Sequence, residues 1–258
     1  MSVIDPAAPA VIEDAAPPLR AVVPPRRSLL VPLFGLTLLL SSTLLFSVQP
    51  MFAKIVLPLL GSSPAVWITF MLFFQAVLLA GYAYAHVIAG TRYAAAHLLV
   101  LAFGIAFLPV AVPHGWSPPA SGNPSLWLLA LLAVAAGAPA FAVSATAPLL
   151  QRWFSLTRHR SAGDPYFLYA ASNIGSMGSL LAYPIIVEPH LRLAQQARIW
   201  TIGYAALIVL IGACVAVVRR APARPDEPHV CHGSPPASRA RRLRWVALAF
   251  IPSSLMLG

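Results

Sequence analysis

Seven apolar stretches divide this chain, and its basic residues fall almost entirely on one side of them. An α-helix needs about 20 apolar residues to cross ~30 Å of hydrocarbon. The stretches cover 28–49, 64–88, 93–112, 125–150, 166–187, 196–218 and 245–258. With a cytoplasmic N-terminus, the cytoplasmic segments hold Arg20, Arg26, Arg27, Arg92, Arg152, Arg158, Arg160, Arg219, Arg220, Arg224, Arg239, Arg241, Arg242 and Arg244. The opposite side holds only Lys54, Arg192 and Arg198, so 14 of 17 basic residues lie inside. Cytoplasmic loops retain the Lys/Arg excess. The pattern predicts an all-α, polytopic transmembrane helix bundle of about six complete spans plus the start of a seventh, with the N-terminus cytoplasmic.

Composition agrees with a bilayer as the main partner. The chain is 59% hydrophobic and 9% charged, with a mean hydropathy of +0.78, whereas a soluble domain carries about 25% charge. A net charge of +10 would point to nucleic acid in a soluble protein. Here arginines beside anionic head groups account for it, and no nucleic-acid partner is expected. The run from Leu29 to Val48 exceeds the h-region of a signal peptide and reads as a retained first span. Cys214 lies in the sixth span and Cys231 in a cytoplasmic loop, so no disulfide is expected. His229, Cys231 and His232 cluster there, but their spacing matches no zinc pattern.

Four parts follow along the chain. Residues 1–27, rich in Pro and Ala without helical or strand period, read as a disordered cytoplasmic tail. Residues 28–218 form a six-span transmembrane block, 219–244 a basic, Pro-rich cytoplasmic loop, and 245–258 the start of a truncated seventh span. At 1.5 Å per residue that last segment reaches roughly 21 Å, short of the bilayer core, so the chain is expected to be the N-terminal part of a longer protein. Residues 50–63, broken by Pro50 and Pro58, are predicted to form a separate short helix at the outer interface, with Lys54 snorkelling to head groups or facing a cavity. Pro109, Pro139 and Pro184 are predicted to kink their spans. No internal repeat is evident, so inverted-repeat symmetry has no support in the sequence.

The fifth span carries the most chemistry. At 100° per residue Tyr166, Tyr169, Asn173, Ser176 and Tyr183 share one arc, while Ala171, Gly175, Gly178 and Ala182 share the next. The small residues permit close helix contact, and the polar strip either bonds to neighbouring helices or turns to a cavity. Asn173 at mid-depth needs partners, and Gln75 of the second span is the candidate to supply them. Tyr166, Tyr169, Asn173, Ser176, Tyr183 and Gln75 are thus the candidate substrate-binding residues. Asp164 before Pro165 reads as a helix cap or as part of a mouth. Glu188 lies near Arg192, as a surface ion pair or a gate, and Lys54 joins these two as a possible gate or interface residue. Tyr82 and His86 approach the cytoplasmic interface on the Gln75 face, and Ser144 and Thr146 are expected to bond back to their own helix.

No carboxylate sits near a span centre, so an intramembrane proton relay is not expected. No Gly-rich nucleotide loop, H-E-x-x-H or G-x-S-x-G motif occurs. The chain is predicted to hold no catalytic residues, cofactor or metal of its own.

Three strings carry a resemblance: VQPMFAKIVLPLLGSSPAVWITFMLFFQAVLLAGYAYAH (48–86), SATAPLLQRWF (144–154) and DPYFLYAASNIGSMGSLLAYPIIVEP (164–189). They resemble the N-terminal membrane region of bacterial fused major-facilitator/spermidine-synthase proteins. The likeness covers about residues 30–258 and implies a bacterial inner-membrane location. In that family a spermidine-synthase-like domain of S-adenosylmethionine-type Rossmann fold follows the membrane block; aminopropyltransferase activity is implied only for such a full-length relative. Two features depart from the family pattern. Ile68 follows Trp67 where a polar Asn is usual, and the loop AGTRYAAAH lacks the acid of a facilitator loop. The resemblance implies a membrane module that binds or moves a small molecule, or anchors a downstream domain. The alternatives are an independent secondary transporter of small solutes, cationic ones included, and a structural anchor. Tyrosines can offer cation–π contacts to a polyamine, but carboxylates are nearly absent from the spans.

Overall fold

The computed structural model describes residues 29–90, 93–118, 123–157, 162, 166–220 and 238–255. The tail 1–27, the Cys231 cluster and Asp164 lie outside the described residues. The fold is an all-α bundle, and no strand occurs among the described residues. We number its helices α1 (Leu30–Leu60), α2 (Pro64–Val87), α3 (Ala94–Ile105), α4 (Pro124–Ser155), α5 (Tyr166–His190), α6 (Leu193–Arg220) and α7 (Arg239–Leu255). Five of them, α1, α2, α4, α5 and α6, are long and apolar enough to cross a membrane, and α3 is a shorter apolar helix. The chain is a multi-pass membrane protein in architecture.

The first helix corrects one expectation. Residues 50–60 form no separate interfacial helix; they continue α1 through Pro50 and Pro58 for 31 residues in all. The reason is the buried stripe. Phe34, Leu38, Ser41, Leu44, Val48, Phe52 and Val56 recur every three or four positions and are all buried. Packing along that stripe offsets the donor lost at each proline. The helix stops where Gly61 takes a φ of 73° and its N–H donates to the Leu57 carbonyl at 2.9 Å. Ser63 then caps α2, accepting from the Val66 N–H at 3.4 Å with Pro64 in the first turn.

The third apolar stretch also differs from its expected bounds of 93–112. Helix α3 ends at Ile105 after 12 residues. Bonds from Ala106 to Phe103, Phe107 to Gly104 and Leu108 to Ile105 tighten the exit into i→i+3 turns. Pro109 disfavours helical conformation at the residue before it, which fixes the stop. The prolines at 139 and 184 act differently. π-helical turns at Ala133–Gly137 and Tyr183–Val187 interrupt α4 and α5 beside them. Widening the turn relieves the clash between a proline ring and the carbonyl four residues back. Helix extends into both ends of the expected 219–244 loop, since Arg219 and Arg220 finish α6 and Arg239 begins α7.

The bundle is organised around α1, which packs on α4, α5 and α6; α2 packs on α4, and α3 on α4 and α6. The core gathers Phe34, Phe52, Trp153, Phe154 and Tyr204, all fully buried. Helix α4 is the most enclosed span and α5 the least.

Candidate functional site

Helices α1 and α2 barely touch, although a short turn joins them. One is drawn to α5 and the other to α4, and a groove of 420 Å³ opens between them with Leu180 of α5 at its side. Leu45, Phe46, Gln49, Pro50 and Ala53 form the α1 wall. Trp67, Phe70, Met71, Phe74, Gln75 and Leu78 form the α2 wall. On α2, Trp67, Phe70 and Phe74 stand at i, i+3 and i+7, so helical spacing puts them on one face. Their rings form a ladder, with Trp67 stacked on Phe70 at 5.8 Å and Phe70 tilted to Phe74 at 5.0 Å.

The polar part of the groove is small and specific. Neither Gln49 nor Gln75 makes a side-chain hydrogen bond among the described residues. Pro50 has no N–H, so the Phe46 carbonyl on the same wall loses its regular helical donor. Two amides, one on each wall, and one backbone acceptor on α1 therefore accompany the aromatic ladder. Each amide offers two donors and an acceptor with two lone pairs. Gln49 is half-buried and Gln75 exposed, so both amides are accessible to a solute that enters the groove.

The predicted strip on α5 splits in two. Tyr166 and Tyr169 are 75% and 51% exposed. Asn173 is exposed and unbonded through its side chain among the described residues, while the half-buried Ser176 hydroxyl donates to the Asn173 carbonyl at 3.1 Å. Tyr183 departs from this open face. It is buried, and its hydroxyl donates to Gln196 Oε1 at 3.0 Å, while Gln196 Nε2 donates to the Leu191 carbonyl. Tyr183 stood at the edge of the predicted arc, next to Ser179 of the packing face, and it closes the α5–α6 corner. The expected bond between Gln75 and Asn173 is not formed. Asn173 instead lies seven residues from Leu180, on the same side of α5 and about 10 Å along the helix, so it extends the open face towards the Arg152 end.

The other side of α5 is a tight seam. A Cβ on Gly175 would collide with the Leu39 carbonyl oxygen of α1. Around it, Ser42 and Ser172 share a hydroxyl bond of 2.7 Å and Ser179 donates to the Thr43 carbonyl at 3.1 Å. Glu188 does not pair with Arg192. It accepts from Lys54 at 2.8 Å, one residue from Ala53 of the groove wall, and ties α1 to α5 at that end. Tyr82 and His86 are exposed. Ser144 and Thr146 bond to the Phe141 and Ala142 carbonyls of their own helix.

Gln49, Phe46 and the Trp67–Phe70–Phe74 ladder escaped the sequence reading. Pro50 drew a boundary through the middle of α1, so Gln49 read as the last residue of a span rather than as part of a wall. The ladder's periodicity was visible, but an aromatic stripe at helical spacing reads as core until a groove is seen beside it. No group of three or more metal-ligating side chains occurs among the described residues. No protein-family model, curated protein or solved structure matches the chain.

Proposed function

We propose that this chain is an integral membrane module that binds or moves a small amphipathic solute in the groove between α1 and α2. The observation that carries this reading is the pairing of unbonded Gln49 and Gln75 with the Trp67–Phe70–Phe74 wall. An apolar cleft with a few fixed polar groups is the usual design of a small-molecule site. A neutral solute with one flat apolar face and hydrogen-bonding groups on its other edge fits better than a polyamine. Among the described residues the groove lining contains no carboxylate, and the nearby Glu188 is paired with Lys54.

The string 48–86 that resembles the fused facilitator/spermidine-synthase membrane region supplies the α2 wall of the groove and Gln49, Pro50 and Ala53 of the α1 wall. That supports placing the chain as the membrane part of such a spermidine-synthase-like protein in a bacterial inner membrane. The 14-to-3 arginine and lysine asymmetry supports a cytoplasmic N-terminus. Reporter fusions at residues 118 and 230 test the orientation: the first reads extracytoplasmic and the second cytoplasmic, and a reversal at either site removes it.

Binding is tested on protein in lipid nanodiscs by titrating neutral aromatic amides and polyamines while following tryptophan emission. The emission change is expected with the amides, to vanish in Trp67→Phe, and to weaken at least tenfold in affinity in Gln75→Leu, as loss of a hydrogen-bonded polar partner predicts (about 1.4 kcal/mol or more). A response to polyamines alone, or one untouched by both substitutions, overturns the proposal.

A further inference from the structure

Away from the groove, three buried side-chain polar atoms among the described residues have no partner, and they belong to His97 and to two rings beside it. They are Tyr84 Oη on α2, His97 Nδ1 on α3 and Trp153 Nε1 on α4. His97 and Trp153 are fully buried. The Tyr84 and Trp153 rings lie with centroids 6.0 and 6.2 Å from the His97 ring. Buried polar groups are nearly always satisfied, by protein or by ordered water, and three failures in one place have a common remedy.

The hydrogen-bonding roles can be worked out. Thr146 donates its only hydroxyl proton to the Ala142 carbonyl at 3.0 Å. It therefore accepts from His97 Nε2, 3.2 Å away. That puts the imidazole proton on Nε2 and leaves Nδ1 as a bare acceptor. Trp153 Nε1 can only donate, and the Tyr84 hydroxyl can do either. One obligatory donor, one obligatory acceptor and one adaptable hydroxyl form a complementary set for a single water molecule, and about three partners is the usual complement of a buried water.

We propose that Tyr84, His97 and Trp153 hold an internal water molecule between α2, α3 and α4. It accepts from the indole, donates to His97 Nδ1 and exchanges a bond with the tyrosine hydroxyl. The water then joins three helices through a hydrogen-bonded unit that continues through Thr146 into the α4 backbone.

The test is NMR of the whole chain in lipid nanodiscs with ¹⁵N-indole labelling, the Trp153 resonance being assigned by its loss in Trp153→Phe. The proposal expects a water–indole cross-peak on an indole proton that exchanges slowly with deuterium. It expects loss of the cross-peak in His97→Leu and weakening in Tyr84→Phe. An absent cross-peak in the folded native chain means a dry cluster and overturns the proposal. Exchange at the solvent rate means an open site and does the same, as does a cross-peak unchanged in both folded variants. If neither variant folds, the native spectrum alone decides.

Discussion

Helix α1 meets α5 on one side and α2 on another, and it is pressed against the first and held off from the second. Towards α5 it presents Leu39, Ser42 and Thr43 to Gly175, Ser172 and Ser179, and the backbones approach until a single methyl group would not fit. Towards α2 it presents Phe46, Gln49 and Pro50 to Trp67, Phe70 and Phe74, and a groove remains. In lipid no hydrophobic force favours helix contact, so close packing and interhelical hydrogen bonds decide which faces meet. Small residues with hydroxyls close an interface. Large rings leave the other open.

The strongest way to break this contrast is to fill the seam. Gly175→Leu meets the backbone of Leu39, which cannot swing aside, and should lower stability by about 3 kcal/mol or more, at the top of the overpacking range. Gly178→Leu, with nothing within 4 Å of its Cβ, should change stability by less than ~0.5 kcal/mol. Unfolding of both in mild detergent checks the pair, and equal losses would remove the seam as the tight side. Next in size is Tyr204→Phe, which deletes the 2.9 Å bond from the buried hydroxyl to the Leu101 carbonyl. A loss of about 1 kcal/mol is expected by the same assay, and none would mean that this corner of α3 and α6 holds by packing alone.

Smaller still is the ion pair at the end of the seam. Lys54 and Glu188 are 39% and 44% exposed, so Lys54→Gln should cost under ~1 kcal/mol, with the difference shrinking as salt is raised. A salt-independent loss would show that the pair is shielded when lipid surrounds it. The smallest effect on stability belongs to the groove. Gln75→Leu and Asn173→Leu should fold as the native chain does, within ~0.5 kcal/mol. Only Gln75→Leu should weaken the solute response, at least tenfold in affinity, because Gln75 lines the groove and Asn173 lies beyond it. Equal loss of binding in both would extend the site along the whole open face of α5.

Much of the bundle was legible because hydrophobic length is a strong signal. The second stretch, 64–88, became a helix over Pro64–Val87 because Ser63 and Pro64 start it in a recognisable way. Pro50 misled, since a proline inside an apolar run has the same appearance whether the helix ends there or continues. Only the buried partners of Met51, Phe52 and Val56 distinguish the two. The polar strip of α5 was legible as a strip. Its membership was not, because Tyr183 stood at the border between two arcs and its packing against α6 settled the matter.

Residue order alone determined that the chain is helical, that it is built of several long apolar segments and that Gly175 of α5 allows a close approach, whereas Gly178 of the same expected stripe meets nothing. Those are properties of segment length and periodicity, which are local. Tertiary structure decided that Lys54 finds Glu188, that Trp67 and Gln75 face Gln49 across a groove, and that the Tyr84 and Trp153 rings lie beside His97. Each of these joins different helices. The relative placement of helices depends on which faces pack best once all of them are present, and no single segment carries that information.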